Sequence, residues 1–327
     1  MNLKRVLIPL VTLVTSIPLF AGTNDLLSIV PTDAVSVGVV RIDQLKGGEL
    51  GGMLFEETSD ITTDGEAMMF LQEAGLNPMS DVDSLLFAML PREGDPSEGE
   101  FLFLVDGRFD PVRLSSAVTR RGAVPAAAGG TSYFTIEKKG EHDGHHAGRV
   151  AAVSFPSSTL AIAGTEAAVV EALEILQAGG SDFLAASNIG RDLGAIDRDA
   201  SAWAMMDVQR SARMGRSMTR KLHEDHAQNF GKAMRYVSMM GVWGSERDGN
   251  MEFGGVALSS DEETRVLLED VVRGITAAWR MTAREENPEW LRVIRSFEIG
   301  RDDAGVNITG SIPLALIRDQ KRAIASR

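Results

Sequence analysis

Three imidazoles and two carboxylates fall within six consecutive positions, running from Glu141 through His142, Asp143 and Gly144 to His145 and His146. Neutral imidazole and carboxylate are ligands that zinc and copper accept, and a chain without cysteine has no thiolate to compete with them. His142, His145 and His146 are therefore the candidate metal ligands, for zinc or copper. Adjacent loop residues converge on one ion only with ligands and supporting hydrogen bonds from elsewhere, so a solvated loop tip is the competing reading. His223 and His226 bracket Glu224 and Asp225, which resembles the zinc-protease helix until the spacing is counted. That chemistry needs its histidines four apart, and these are three apart. They could still share an ion with the 141–146 loop; otherwise they belong to a solvated helix face.

A second group of charges recurs at helical spacing. Arg210, Arg213, Arg216 and Arg220, with Lys221, form a basic stripe, while Val208, Met214, Met218 and Leu222 would supply the buried side of the same helix. Such a helix can touch anionic lipid or phosphate, which makes Arg213, Arg216 and Arg220 the candidate anion or lipid contacts. The alternative is a solvent face that balances neighbouring acids. The methionine pairs Met68-Met69, Met205-Met206 and Met239-Met240 suit core filling, with copper handling by thioethers as the other option. Gly47, Gly48, Gly51 and Gly52 follow a strand without the G-x-G-x-x-G spacing, and no P-loop, G-x-S-x-G elbow or S-x-x-K set occurs. Nucleotide binding and nucleophilic hydrolysis have no support here, and a binding module fits better than an enzyme.

The workplace of these residues is set by the N-terminus. Lys4 and Arg5 precede an uncharged, mostly apolar run from Val6 to Phe20, interrupted by Pro9 and Pro18 and ending at Ala21. That is the pattern of a secretory signal, and it falls short of the about 20 unbroken apolar residues that a spanning helix needs. Residues 1–21 are read as a leader cleaved after Ala21, with retention as a membrane anchor the alternative. The net charge of −13 would become more negative by two on losing Lys4 and Arg5, which disfavours nucleic acid and anionic membranes as partners overall. Membrane contact is then expected only through an uncleaved leader or the basic helix. With no cysteine in an exported chain, stability must come from packing.

The elements that must position any site follow from turn and cap signals. Asp33 to Ile42 reads as a strand, Glu66 to Ala74 as a helix stopped by Gly75, and Val82 to Met89 with Phe101 to Val105 as a hairpin. Phe101 to Val105 is apolar throughout, as in a strand covered on both faces. Asp110 and Pro111 open a helix. Gly122 to Gly148 reads as a surface excursion with one short strand at Tyr133 to Ile136. A second hairpin, Val150 to Phe155 with Thr159 to Ala163, leads into a helix from Thr165 to Gln177.

From Asp199 the order of elements repeats: a strand, a helical region, then a hairpin from Tyr236 to Gly244 and Met251 to Leu258 across Asp248-Gly249. Ser260 with Glu263 forms a capping box for a long helix from Asp261 to about Arg284, whose Leu267, Val271, Ile275 and Ala278 lie on one stripe. Asn287-Pro288 starts a further turn, the strands Phe297 to Ile299 and Val306 to Thr309 follow, and a terminal helix begins at Ile312. The expected class is α+β, with two similar halves, residues 22–180 and 181–327, each an antiparallel sheet with helices packed on one face.

On Val30-Pro31-Thr32-Asp33-Ala34, Gly75-Leu76-Asn77-Pro78, Gly107-Arg108-Phe109-Asp110 and Ser259-Ser260-Asp261-Glu262, the chain resembles a loosely defined group of exported bacterial proteins of unknown function with two similar halves. The resemblance spans most of the chain after the leader. It implies a periplasmic or cell-surface role and carries no functional residue with it. The sequence therefore points to an envelope protein acting as a non-catalytic binding or structural module, with an envelope protein or a small ligand as partner and a groove between the halves as the ligand's place. The alternative is a metal-binding or metal-dependent periplasmic protein built on the histidine loop.

Overall fold

A computed structural model describes residues 23–53, 65–92, 95–136, 150–214, 234–286 and 288–325. The strands in chain order are β1 (Ser36–Arg41), β2 (Val82–Arg92), β3 (Asp95–Gly107), β4 (Val124–Ala128), β5 (Thr131–Ile136), β6 (Ala151–Ser154), β7 (Leu160–Thr165), β8 (Ala202–Asp207), β9 (Met239–Arg247), β10 (Asn250–Leu258), β11 (Glu298–Arg301) and β12 (Gly305–Pro313). The helices are α1 (Thr23–Leu27), α2 (Ile42–Leu45), α3 (Gly65–Ala74), α4 (Pro78–Asp81), α5 (Pro111–Arg120), α6 (Glu166–Gln177), α7 (Phe183–Ala186), α8 (Asn188–Asp192), α9 (Val208–Met214), α10 (Glu262–Glu286), α11 (Pro288–Arg295) and α12 (Leu314–Ala325).

All twelve strands join one antiparallel sheet in the order β11-β12-β10-β9-β8-β1-β2-β3-β7-β6-β5-β4. The α+β class is as expected. The two segments that echo one another in sequence are neighbours at its centre, where Val37 of β1 opposes Met205 of β8 and Gly38 opposes Ala204. Directly opposed residues in an antiparallel sheet share a face, so the register sorts the side chains into two layers. On one face Val37, Val39, Leu86, Leu102, Leu104, Ile162 and Met205 form a core with Val169 and Leu173 of α6, Phe183 of α7 and Ile189 of α8. The other face is covered near its two ends. At one end Val118 of α5 packs with Phe134 and Val153. At the other, Leu268 of α10 packs with Val208, Val237 and Val306. Helices therefore lie on both faces of one continuous sheet, where a separate sheet in each half with helices on one face was expected, because a central strand of a twelve-stranded sheet has two apolar sides to bury.

Several local signals act as expected. Asp110 accepts from the amides of Val112 and Arg113 ahead of α5. Gly75 ends α3 with φ of 63°, and Asp248 (φ 52°) and Gly249 (φ 74°) make the tight turn between β9 and β10. Three expectations are corrected. The short strand expected at Tyr133 to Ile136 is present, with Tyr133 and Phe134 buried, but it is one arm of the sheet-edge hairpin β4–β5 over residues 124–136, where irregular chain was expected before it; the charged tip from Glu137 to His146 lies outside the described residues. β3 is covered on one face only: Leu102 and Leu104 are fully buried, while Phe101 and Phe103 are each 39% exposed. The cap of α10 is Asp261, which accepts from the amide of Thr264 at 2.7 Å in place of the Ser260–Glu263 box.

Candidate ligand cavity

Between the helices α10, α11 and α12 and the sheet face beneath them lies a cavity of about 1360 Å³. Its floor explains it. Ala202 opposes Gly244, Ala204 opposes Val242, and Val242 opposes Gly255, so these residues share the face under the helices. Glycine and alanine send little or nothing upward to meet the helix layer, and the space stays open. Around this floor stand Val40, Phe87, Met251, Ile308 and Ile312. At one side Phe253 and Phe297 meet edge to face, with ring centroids 5.2 Å apart. A Cβ at Gly310 would come within 2.6 Å of Phe297 and 2.8 Å of Phe253, so only glycine leaves room for that pair.

The helices supply the roof: Trp279 and Ala283 from α10, Trp290 and Ile294 from α11, and Leu316 from α12. The remaining wall comes from Leu45 of α2 and from Leu50 in helical residues 49–53. That wall is fastened across the molecule. Glu246 of β9 accepts from the amides of Glu49 and Leu50, and Arg318 of α12 pairs with the Glu49 carboxylate. The side chains that bring polarity to the lining, Thr282, Glu289, Asp319 and Gln320, are all exposed and stand at the rim.

A folded interior packs at crystal-like density and holds few voids larger than a water molecule. Pockets for drug-sized ligands occupy roughly 300–1,000 Å³, and this one is larger and almost wholly apolar. Among the described residues its lining contains neither a nucleophile–base pair nor a cluster of metal ligands. What it can do chemically is remove a long apolar surface from water.

None of the residues singled out from sequence is among the described residues that line the cavity. His142, His145, His146, His223 and His226 fall outside the described residues, as do Arg216 and Arg220. Arg213 lies in α9. Arg210 in the same helix donates to the carbonyl of Asp33 at 2.6 Å, so one member of the basic stripe braces the entry to β1. Among the described residues no group of three or more histidines and carboxylates is disposed to hold a metal ion. Met205 and Met239 are buried in the core, as expected, whereas Met69 of the Met68-Met69 pair is 53% exposed and fills no core. Among the described helices none is long and apolar enough to cross a membrane.

Carboxylates with altered affinity for protons stand away from the cavity. Burial, then the neighbouring Asp83, raises the pKa of Asp106. Burial also raises Asp33, against the pull of Arg210, and raises Glu171 with help from Asp33. No residue of the cavity was singled out from sequence. The signal was present in small residues inside strands, namely Ala202, Ala204, Gly244 and Gly255, where bulky β-formers are the norm.

No protein-family model matches the chain, and no curated protein is significantly similar to it. Among solved structures it is similar to TP0453 in crystal forms III, I and IV, each with a TM-score of 0.47. Identity is 10%, 10% and 12%, over 88% of this chain in each case and 93%, 92% and 92% of the other. At that level the likeness carries no argument about what the chain binds.

Proposed function

We propose that this chain is an exported envelope protein that binds, without catalysis, a ligand with a long apolar chain, held in the cavity under α10–α12. The observation that carries this reading is the floor of Ala202, Ala204, Gly244 and Gly255 beneath a roof of Trp279, Trp290, Ile294 and Leu316. Burying a chain there at about 25 cal/mol per Å² supplies affinity with no directed polar contact. The leader at residues 1–21 supports the export part of the reading. A duplicated unit is part of it as well. Read outward from the centre, β1-β2-β3-β7-β6 and β8-β9-β10-β12-β11 correspond strand for strand, which supports two related halves. The cavity draws its floor from the second half and takes Val40, Phe87, Leu45 and Leu50 from the first.

The test is a fluorescence titration of the chain from residue 22 onward with N-phenyl-1-naphthylamine, an uncharged apolar probe. Extraction of the purified protein into organic solvent for mass spectrometry accompanies it. Saturable, one-to-one binding at micromolar concentration or tighter, reversed by a long-chain competitor, is the expected result. Linear, unsaturable uptake together with an empty extract would overturn the proposal.

A further inference from the structure

Resting on the reading of the cavity as an apolar-chain site, we infer that its ligand is a two-chain amphiphile, a diacyl lipid whose chains lie side by side across the sheet. The length of the site comes from its floor. Residues of six neighbouring strands, β2, β1, β8, β9, β10 and β12, line it. Strands stand about 4.8 Å apart, so the floor runs about 24 Å across the sheet, the length of an extended chain of roughly 18 carbons at about 1.3 Å per carbon.

The width follows from the volume. About 1360 Å³ spread over about 24 Å leaves a mean cross-section of roughly 55 Å². Carbon atoms in contact stand about 3.5–4.0 Å apart, so one alkyl chain with its hydrogens is a rod about 5 Å wide and roughly 20 Å² in section. A single chain would fill less than half of the space, and wall atoms left without a partner forfeit their dispersion contacts. Two chains fill most of it. The floor also offers two tracks. Val40 opposes Ala202, which opposes Gly244. Ala204 opposes Val242, which opposes Gly255, and Gly255 opposes Ile308. Ala202 and Ala204 are two residues apart on one strand, so the two rows share a face and run about 7 Å apart. That spacing exceeds the width of one chain. The rows overlap on β8 and β9, where the floor is wide enough for both chains.

The experiment is native mass spectrometry of the chain from residue 22 onward with 1-decanoylglycerol and 1,2-didecanoylglycerol, whose heads carry no charge. Titration of each against bound N-phenyl-1-naphthylamine accompanies it. The native protein is expected to take two copies of the single-chain lipid and one of the two-chain lipid. Ala202→Leu places a side chain over the first row and leaves the second open. In that variant the single-chain lipid should bind as one copy, with its affinity reduced less than about threefold, while the two-chain lipid weakens at least about tenfold as one chain loses its place. Retained binding of the single-chain lipid shows that the variant is folded, and the copy number in the native protein decides without it. One copy of the single-chain lipid in the native protein, or an equal loss of both lipids in Ala202→Leu, overturns the inference while the cavity reading stands. Failure of both lipids to bind or to displace the probe overturns both.

Discussion

Glu246 and Leu50, 196 positions apart in the chain, are joined at 2.8 Å where the β9 carboxylate accepts the Leu50 amide, and its other oxygen takes the Glu49 amide at 2.9 Å. One carboxylate thereby satisfies two amides at the start of helical residues 49–53, as an N-cap would, but from the far half of the sheet. Leu50 lines the cavity, so this fastening closes one side of it.

Removing the fastening should loosen that wall. In Glu246→Ala two amides lose a charged acceptor, a loss of about 1 kcal/mol for a cap of this kind. That corresponds to a fall in Tm of about 1–2 °C in a chain of this size. Probe dissociation measured by stopped-flow should accelerate several-fold, with Glu246→Gln in between. A dissociation rate equal to that of the native protein would show that the wall does not govern exchange.

The floor gives a sharper handle. A Cβ at Gly255 would meet Ile308 at 3.5 Å, the carbonyl of Gly241 at 3.7 Å and Val242 at 3.9 Å, ordinary contact distances, so it fits there without displacing a neighbour and a longer side chain would extend from the floor of the cavity. Gly255→Leu should fill part of the cavity, abolish probe binding or weaken it at least tenfold, and leave Tm unchanged or slightly raised. Titration and a thermal melt on the same sample check both. Undiminished probe binding in a folded Gly255→Leu protein would place the probe elsewhere.

Turns and caps were legible from sequence because their causes are local: Asp110 before Pro111, Gly75 after α3, and Asp248-Gly249 between two apolar runs each act through their own backbone. The phase of α10 was not. Its stripe of Leu267, Val271, Ile275 and Ala278 was expected to face the core, yet Leu268 is 5% exposed and Leu267 48%. The buried side also takes Thr264 and Thr276, whose hydroxyls donate to Asp261 and to the Val272 carbonyl. Polar residues satisfied in this way are invisible to a count of apolar positions. The cavity was hidden for a related reason, since it is defined by missing side chains on strands that become neighbours only in the folded sheet. The Glu246–Leu50 contact, like the β1–β8 pairing, depends on that same long-range assembly.

The phase of α10 is open to direct measurement. Leu268→Ala should destabilise by about 2–4 kcal/mol, as expected for a core leucine packed against Val306 and Val237, whereas Leu267→Ala should change stability by less than about 0.5 kcal/mol. Urea unfolding of the two variants decides it. Equal losses would put the helix in the orientation that its apolar stripe suggests.

Two carboxylates should move stability in opposite directions with pH. Asp106 has a pKa raised from 3.8 by burial and then by Asp83, with Asp43 and Asp25 adding to it and the Gly107 amide opposing. Its ionised form is disfavoured in the folded chain, so the penalty is complete above the folded pKa and disappears as pH falls below 3.8. Asp106→Asn should therefore raise the urea midpoint at pH 7, by a margin that shrinks steadily towards pH 4. Asp302 is the converse, its pKa lowered by hydrogen bonds from the amides of Gly305 and Ala304 in the β11–β12 turn. The stability it confers is present above 3.8 and is lost as pH falls through its lower folded value. Asp302→Ala should lower the midpoint at pH 7, and that loss should stay near its full size down to pH 4, while the Asp106→Asn gain declines over the same range. If the Asp106→Asn gain were flat with pH, its origin would lie in packing and not in the buried charge.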